Sequence, residues 1–119
     1  MAYLALIVED VVINKWEITD KEMIIGRVKF CDIHIEDRSV SSKHACVVVE
    51  ADPFLKGNFV TYLVDLESTN GTEINGKVVT RQQLEDGDII KIGFNQFRYV
   101  DSSALNLDET AVIVTPPLA

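Results

Sequence analysis

Cysteine, basic charge, helical periodicity and long apolar runs are all scarce in this chain, and each scarcity excludes something. Cys31 and Cys46 are the only cysteines among 119 residues, and there are two histidines. With no C-x-x-C pair and no H-x-x-x-H spacing they do not make a zinc site, so no metal and no cofactor is expected. The opening Met-Ala-Tyr-Leu-Ala-Leu-Ile-Val lacks a basic start and is cut by Glu9-Asp10, unlike a secretory leader. Free thiols and a cytoplasmic location are therefore the expectation. No apolar run approaches the roughly 20 residues of a membrane span. Lys and Arg number 11 against 19 Asp and Glu, for a net charge of −8. That balance argues against nucleic acid bound through a broad basic surface and against an anionic membrane face. Only Arg81–Glu85 reads as helix, and five residues are too few to define the class.

What is present is a series of short strands between turn signals, the pattern of an all-β sandwich or barrel. Tyr3–Val8, Lys15–Ile18, Glu22–Ile25, Asp32–Glu36, Ala45–Val49, Phe59–Leu66, Asp88–Ile92 and Gln96–Val100 are the candidates. In Asp32–Glu36 the alternation turns Ile33 and Ile35 inward and His34 outward. Asn75-Gly76 between Thr72–Ile74 and Lys77–Val79 is a two-residue hairpin signal. Trp16 and the phenylalanines read as core or sheet-face packing. The length fits one domain, placed at residues 1–100, with a tail over 101–119.

Three polar clusters fall in the loops: Gly26-Arg27, Ser41-Ser42-Lys43-His44 and Ser68-Thr69-Asn70-Gly71-Thr72. Arg27, Lys29, Arg38, Lys43 and His44 form a small basic spot in an acidic chain, suited to one discrete anion. A phosphate monoester carries about −1.5 to −2 charges and three acceptor oxygens. A guanidinium meets two of those oxygens at once, and hydroxyls and loop N–H groups meet others. The clusters supply these donors and lack the parts for cleavage. No G-x-S-x-G elbow exists, and Ser41, His44 and Asp32 or Asp37 only imitate a triad. Gly71-x-x-x-x-Gly76-Lys77 begins like a P-loop, but Val78 stands where a Mg²⁺-binding hydroxyl is needed, and the segment reads as strand. Asn70-Gly71-Thr72 is formally a glycosylation sequon with no leader to deliver it.

The chain resembles the forkhead-associated (FHA) domain, a phosphothreonine-binding β-sandwich of two mainly antiparallel twisted sheets. The resemblance rests on Ile25-Gly26-Arg27, Cys31-Asp32-Ile33-x-Ile35, Val40-Ser41-x-x-His44-Ala45 and Asp65-x-x-Ser68-Thr69-Asn70-Gly71-Thr72. Asn75-Gly76 and Leu84-x-x-Gly87-Asp88-x-Ile90-x-Ile92-Gly93 extend it, so that it covers roughly residues 22 to 100. It implies that Arg27 and Ser41 contact the phosphate and that Ser42 and Thr69 add contacts. Asn70 would bond the ligand backbone, and Lys43 would supplement the charge. Gly26, His44 and Gly71 would support the loops. In the family the position of Ser42 often carries Arg or Asn, and Ser has a shorter reach.

The expected function is a non-enzymatic, phosphothreonine-dependent interaction module in Ser/Thr kinase signalling. Its partner would be a phosphorylated protein, a kinase or a kinase substrate among them. Few charge-assisted hydrogen bonds, less the cost of ordering a peptide, point to affinity of about −8 kcal/mol, the micromolar range. The alternative is a phosphate-independent scaffold or oligomerisation domain that binds through a sheet face. In the tail, Thr110 follows Asp108-Glu109 and precedes Ile113 by three residues. It is the candidate phosphoacceptor, whose modified segment would dock into an FHA site of the same or a neighbouring chain.

Overall fold

The computed structural model describes residues 2–101, and these form eleven strands. They are β1 (Ala2–Val8), β2 (Val11–Glu17), β3 (Glu22–Gly26), β4 (Ile33–His34), β5 (Ala45–Ala51) and β6 (Phe59–Asp65). The remainder are β7 (Thr72–Ile74), β8 (Lys77–Val78), β9 (Arg81–Gln83), β10 (Ile89–Ile92) and β11 (Asn95–Asp101). Thr110 and the rest of the tail lie outside the described residues. The last strand ends at Asp101, one residue past the expected domain boundary.

Two sheets form, in the orders β2-β1-β11-β10-β7-β8 and β4-β3-β5-β6-β9. Strand pairing is antiparallel except between β3 and β4. Inward residues of both sheets meet in one core. Leu4, Ile74, Ile90, Ile92, Phe97 and Tyr99 come from the first sheet, and Met23, Ile25, Ile33, Val47 and Leu63 from the second. Ile33 and Ile35 are both buried, as their alternation requires, and His34 is half-buried. Trp16 packs onto Phe97 with ring centroids 6.0 Å apart.

Asn75 and Gly76 take φ of 52° and 85°. Both are left-handed, as a two-residue turn matching the twist of its strands requires. Arg81–Glu85 is not a helix. Arg81–Gln83 pairs with β6, with Val64 opposite Arg81, and the bonds Asp65 N–H to Thr80 O (2.8 Å) and Leu84 N–H to Thr61 O (2.7 Å) bracket the strand. An open sheet edge offers ladder partners that an isolated helical turn, with its costly nucleus, cannot match. Arg81 also lies 3.9 Å from the centroid of the Tyr62 ring and 3.2 Å from Glu50.

The loops after β3, after β4 and after β6 carry the three polar clusters. β3 and β5 pair with Ile25 opposite Ala45, and β5 and β6 with Ala45 opposite Asp65. The end of β3, the start of β5 and the end of β6 therefore lie side by side, and the clusters converge at one end of the sandwich.

Candidate functional site

Gly26 closes β3 and sets the backbone of the next loop. A Cβ there would stand 2.2 Å from the Ser42 carbonyl oxygen and 2.8 Å from Cys31 Sγ. Only hydrogen fits. The close approach lets Arg27 N–H donate to Ser41 O at 3.1 Å and Val28 N–H to Ser42 O at 3.4 Å. Arg27 is exposed, and its Nε donates to Val40 O at 3.0 Å. That bond fixes the plane of the guanidinium, and neither terminal NH₂ group has a hydrogen-bond partner among the described residues.

His44 is fully buried. Its Nδ1 accepts the Ser41 N–H at 3.0 Å, so that nitrogen carries no proton. Its Nε2 therefore holds the hydrogen and donates to Gly71 O at 2.8 Å. One ring thus ties the Ser41 loop to the Gly71 loop. Ser41 Oγ makes a second tie, accepting the Thr69 N–H at 3.0 Å. An oxygen that accepts there keeps its own hydrogen to donate outward. Asn70 makes a third, its Nδ2 donating to Ser39 O at 2.9 Å, with Oδ1 and one N–H to spare. Ser42, Lys43 and Thr69 are exposed at the rim. Lys43 Nζ lies 5.6 Å from the centroid of Phe30, a 69% exposed ring that the sequence reading did not single out.

Two carboxylates anchor these loops from beneath. Asp65 Oδ1 accepts from the Ser68 hydroxyl at 2.6 Å and the Thr72 hydroxyl at 2.7 Å, and Oδ2 accepts the Ser68 N–H at 3.2 Å. Burial, the largest single influence, pushes the Asp65 carboxyl up; the Ser68 and Thr72 hydroxyls and the Ser68 N–H together outweigh it and hold the group below the usual carboxylate range. Asp37 accepts from the Ser39 hydroxyl and, at 3.0 Å, from Asn95 Nδ2. These two donors hold its carboxyl below the usual range as well. Ser39 Oγ also accepts the Phe94 N–H at 2.9 Å. Gly93, at φ +61°, approaches so closely that a Cβ would stand 2.5 Å from Ser39 O. The sequence reading missed Asp37, Ser39 and Asn95 as braces. Asp37-x-Ser39 is a polar turn signal, but its partner lies far along the chain at Asn95.

Of the predicted residues, Arg27, Ser41, Ser42, Lys43, Thr69 and Asn70 all fall on the three converging loops. Beside Arg27 an open hollow is lined by Lys29, His34 and Arg38, with Glu36 and Asp37 also present. The triad imitation does not assemble. Both His44 ring nitrogens are committed to backbone groups, Asp32 accepts the Ile24 N–H at 2.8 Å, and Asp37 is turned to Ser39 and Asn95. Among the described residues none of these groups stands ready as a base for the Ser41 hydroxyl.

The FHA domain family model matches residues 23–93, and the chain belongs to that family. It is 35% identical over 79 residues to the probable serine/threonine-protein kinase fhkA of Dictyostelium discoideum, covering 62% of this chain and 13% of the relative. It is 32% identical over 81 residues to the FHA domain-containing protein FhaA of Mycobacterium tuberculosis, covering 68% and 14%. This chain therefore spans only a small part of the length of those relatives. Among solved structures, one from work on phosphothreonine-dependent FHA domain interactions superposes with a TM-score of 0.70 at 30% identity, covering 84% of this chain and 95% of that one. FHA domains are non-catalytic interaction modules that bind phosphopeptides in settings of Ser/Thr kinase activity.

Proposed function

We propose that this domain binds threonine-phosphorylated proteins, with Arg27 and Ser41 holding the phosphate. The observation that supports this reading most is that both side chains are fixed at one end and open at the other. Arg27 is oriented by the Val40 carbonyl and Ser41 by the Thr69 N–H, so little side-chain freedom is lost when a ligand arrives. Thr69 and Ser42 stand at the rim to add hydroxyl donors. Asn70, anchored through one amide hydrogen, has an acceptor and a donor left for the ligand backbone. Lys43, near Phe30, adds charge, and no carboxylate among the described residues forms an ion pair with it. The partner would be a kinase or a kinase substrate carrying the modified threonine.

Titration of matched phosphorylated and plain peptides by calorimetry tests the proposal. Binding of the phosphorylated form alone, in the micromolar range, is expected. Arg27→Ala removes a charge-assisted contact worth about 1.5–3 kcal/mol, which is roughly a tenfold to hundredfold loss of affinity, with the fold unchanged. Equal binding of both peptides, or an Arg27→Ala variant that binds its partner unaltered, would favour the phosphate-independent scaffold instead.

A further inference from the structure

The basic spot read from the sequence divides in the structure. His44 leaves it, buried and tied to two backbone groups. Lys43 stands at the rim, near the Phe30 ring. Lys29 and Arg38 line the hollow beside Arg27. The hollow measures about 390 Å³, toward the lower end for ligand clefts, so it suits a single side-chain group.

Its charge is one-sided. Arg27, Lys29 and Arg38 are exposed, and none of them forms an ion pair among the described residues. Of the two carboxylates on the same wall, Asp37 is turned to Ser39 and Asn95. That leaves Glu36 against three cations. The wall is also held in place. His34 Nε2 donates to the Arg27 carbonyl oxygen at 3.0 Å, and Arg27 Nε donates to Val40 O. One phosphate does not use this charge up. It brings at most about two negative charges. Arg27 and Lys43 offset these, and Lys29 and Arg38 remain.

We propose that this hollow is a second anion subsite, in which Lys29 and Arg38 receive an acidic group of the same ligand, close in sequence to its phosphothreonine. The inference rests on the function proposed above and narrows the ligand class to phosphothreonine segments with an anionic neighbour. A carboxylate or a second phosphate has the chemistry required. Strand order sets the side. β4, which carries His34, is the edge of its sheet and β3 is next to it, whereas β6, which leads to Asn70, lies two strands beyond β3. The hollow and Asn70 thus flank Arg27 from opposite sides. An acidic residue therefore helps on one side of the phosphothreonine only. Three extended residues reach about 10 Å, which bounds how far away it stands.

Calorimetry of the full chain with one phosphothreonine peptide and its variants tests this. In the variants, Glu replaces Ala in turn at each of the three positions before and the three after the phosphothreonine. Glu on one side only is expected to tighten binding about threefold to tenfold, as exposed charge pairs allow. The gain should shrink in high salt. Lys29→Glu combined with Arg38→Glu should abolish the gain and favour Lys at the same ligand position. A second phosphothreonine in place of that Glu identifies the source. Tighter binding than with Glu assigns the hollow to doubly phosphorylated partners, and equal or weaker binding assigns it to Asp and Glu. No gain from Glu at any position, or equal gain on both sides, overturns the subsite and leaves the phosphate reading standing. A gain that survives the double charge reversal overturns it too. Equal binding of phosphorylated and plain peptides removes the phosphate reading, and the subsite with it.

Discussion

His44 Nε2 donates to the Gly71 carbonyl oxygen at 2.8 Å, and this one bond joins loops that lie 27 residues apart in sequence. The other ring nitrogen accepts from the Ser41 N–H, so the imidazole holds the Ser41 and Gly71 loops at a fixed separation. His44→Phe keeps the ring but leaves the Ser41 N–H and the Gly71 carbonyl without partners. Each unsatisfied buried group costs about 1–3 kcal/mol, so a loss of roughly 2–6 kcal/mol is expected in denaturant unfolding. Phosphopeptide affinity should fall with it. An unaltered unfolding midpoint would show that the bridge carries no weight.

Ser41 and Ser42 are neighbours with different duties. Ser41 Oγ accepts from Thr69 and offers its hydrogen outward; Ser42 is exposed, and its carbonyl rather than its side chain serves the fold. Ser41→Ala frees the Thr69 loop and, on the proposed function, removes a ligand contact. It should cost at least a tenfold loss in affinity, about 1.4 kcal/mol. Ser42→Ala should cost several-fold less. Calorimetry of both variants with one phosphopeptide decides the ranking, and equal losses would count against it.

Gly26→Ala is expected to damage site and stability together. The added Cβ would need the Ser42 carbonyl to retreat, and that carbonyl is held by the Val28 N–H and approached by Cys31 Sγ at 3.4 Å. Overpacking of this kind costs typically about 1–3 kcal/mol. Thermal unfolding and phosphopeptide titration should both report the change. Gly71→Ala offers a contrast: nothing lies within 4 Å of its would-be Cβ, and φ of +83° is its only demand. Its effect should be confined to backbone strain.

Much of this was legible from residue order. Strand alternation exposed the sandwich, because a period of two with β-branched residues has few other solutions. The loop clusters stood out because Gly, Ser, Asn and Thr between strands have local reasons to be there. What the sequence hid was pairing at a distance. Asn95 bracing Asp37 and the Phe94 N–H on Ser39 join residues 58 and 55 positions apart, and no local pattern marks them. Arg81–Glu85 was misread because four polar residues around one Leu carry little periodicity and a neighbouring sheet edge decided the conformation of Arg81–Gln83. β2 was only half seen: Val11–Asn14 does not alternate, since the register shifts between Leu6 and Ile7 opposite it.

Acid should loosen the loops before it reaches the core. Asp65 and Asp37 both have carboxyls held below their ordinary range in the fold, Asp65 against the pull of its own burial. A group whose pKa is lower when folded stabilises the fold fully above its unfolded value, about 3.9 for Asp. That contribution disappears as pH falls through the folded value. Stability should therefore be level on this account down to about pH 5 and decline below about pH 4. Asp65→Asn cannot lose a charge, so its unfolding midpoint should start lower at neutral pH and fall less steeply in acid. A wild-type and an Asp65→Asn curve that run parallel from neutral pH into acid would remove Asp65 from the explanation. Ser68 and Thr72, which Asp65 holds, bracket Thr69 and Asn70 in the loop after β6, so phosphopeptide affinity, already falling as the phosphate takes up its second proton near about pH 6, should drop further below about pH 4.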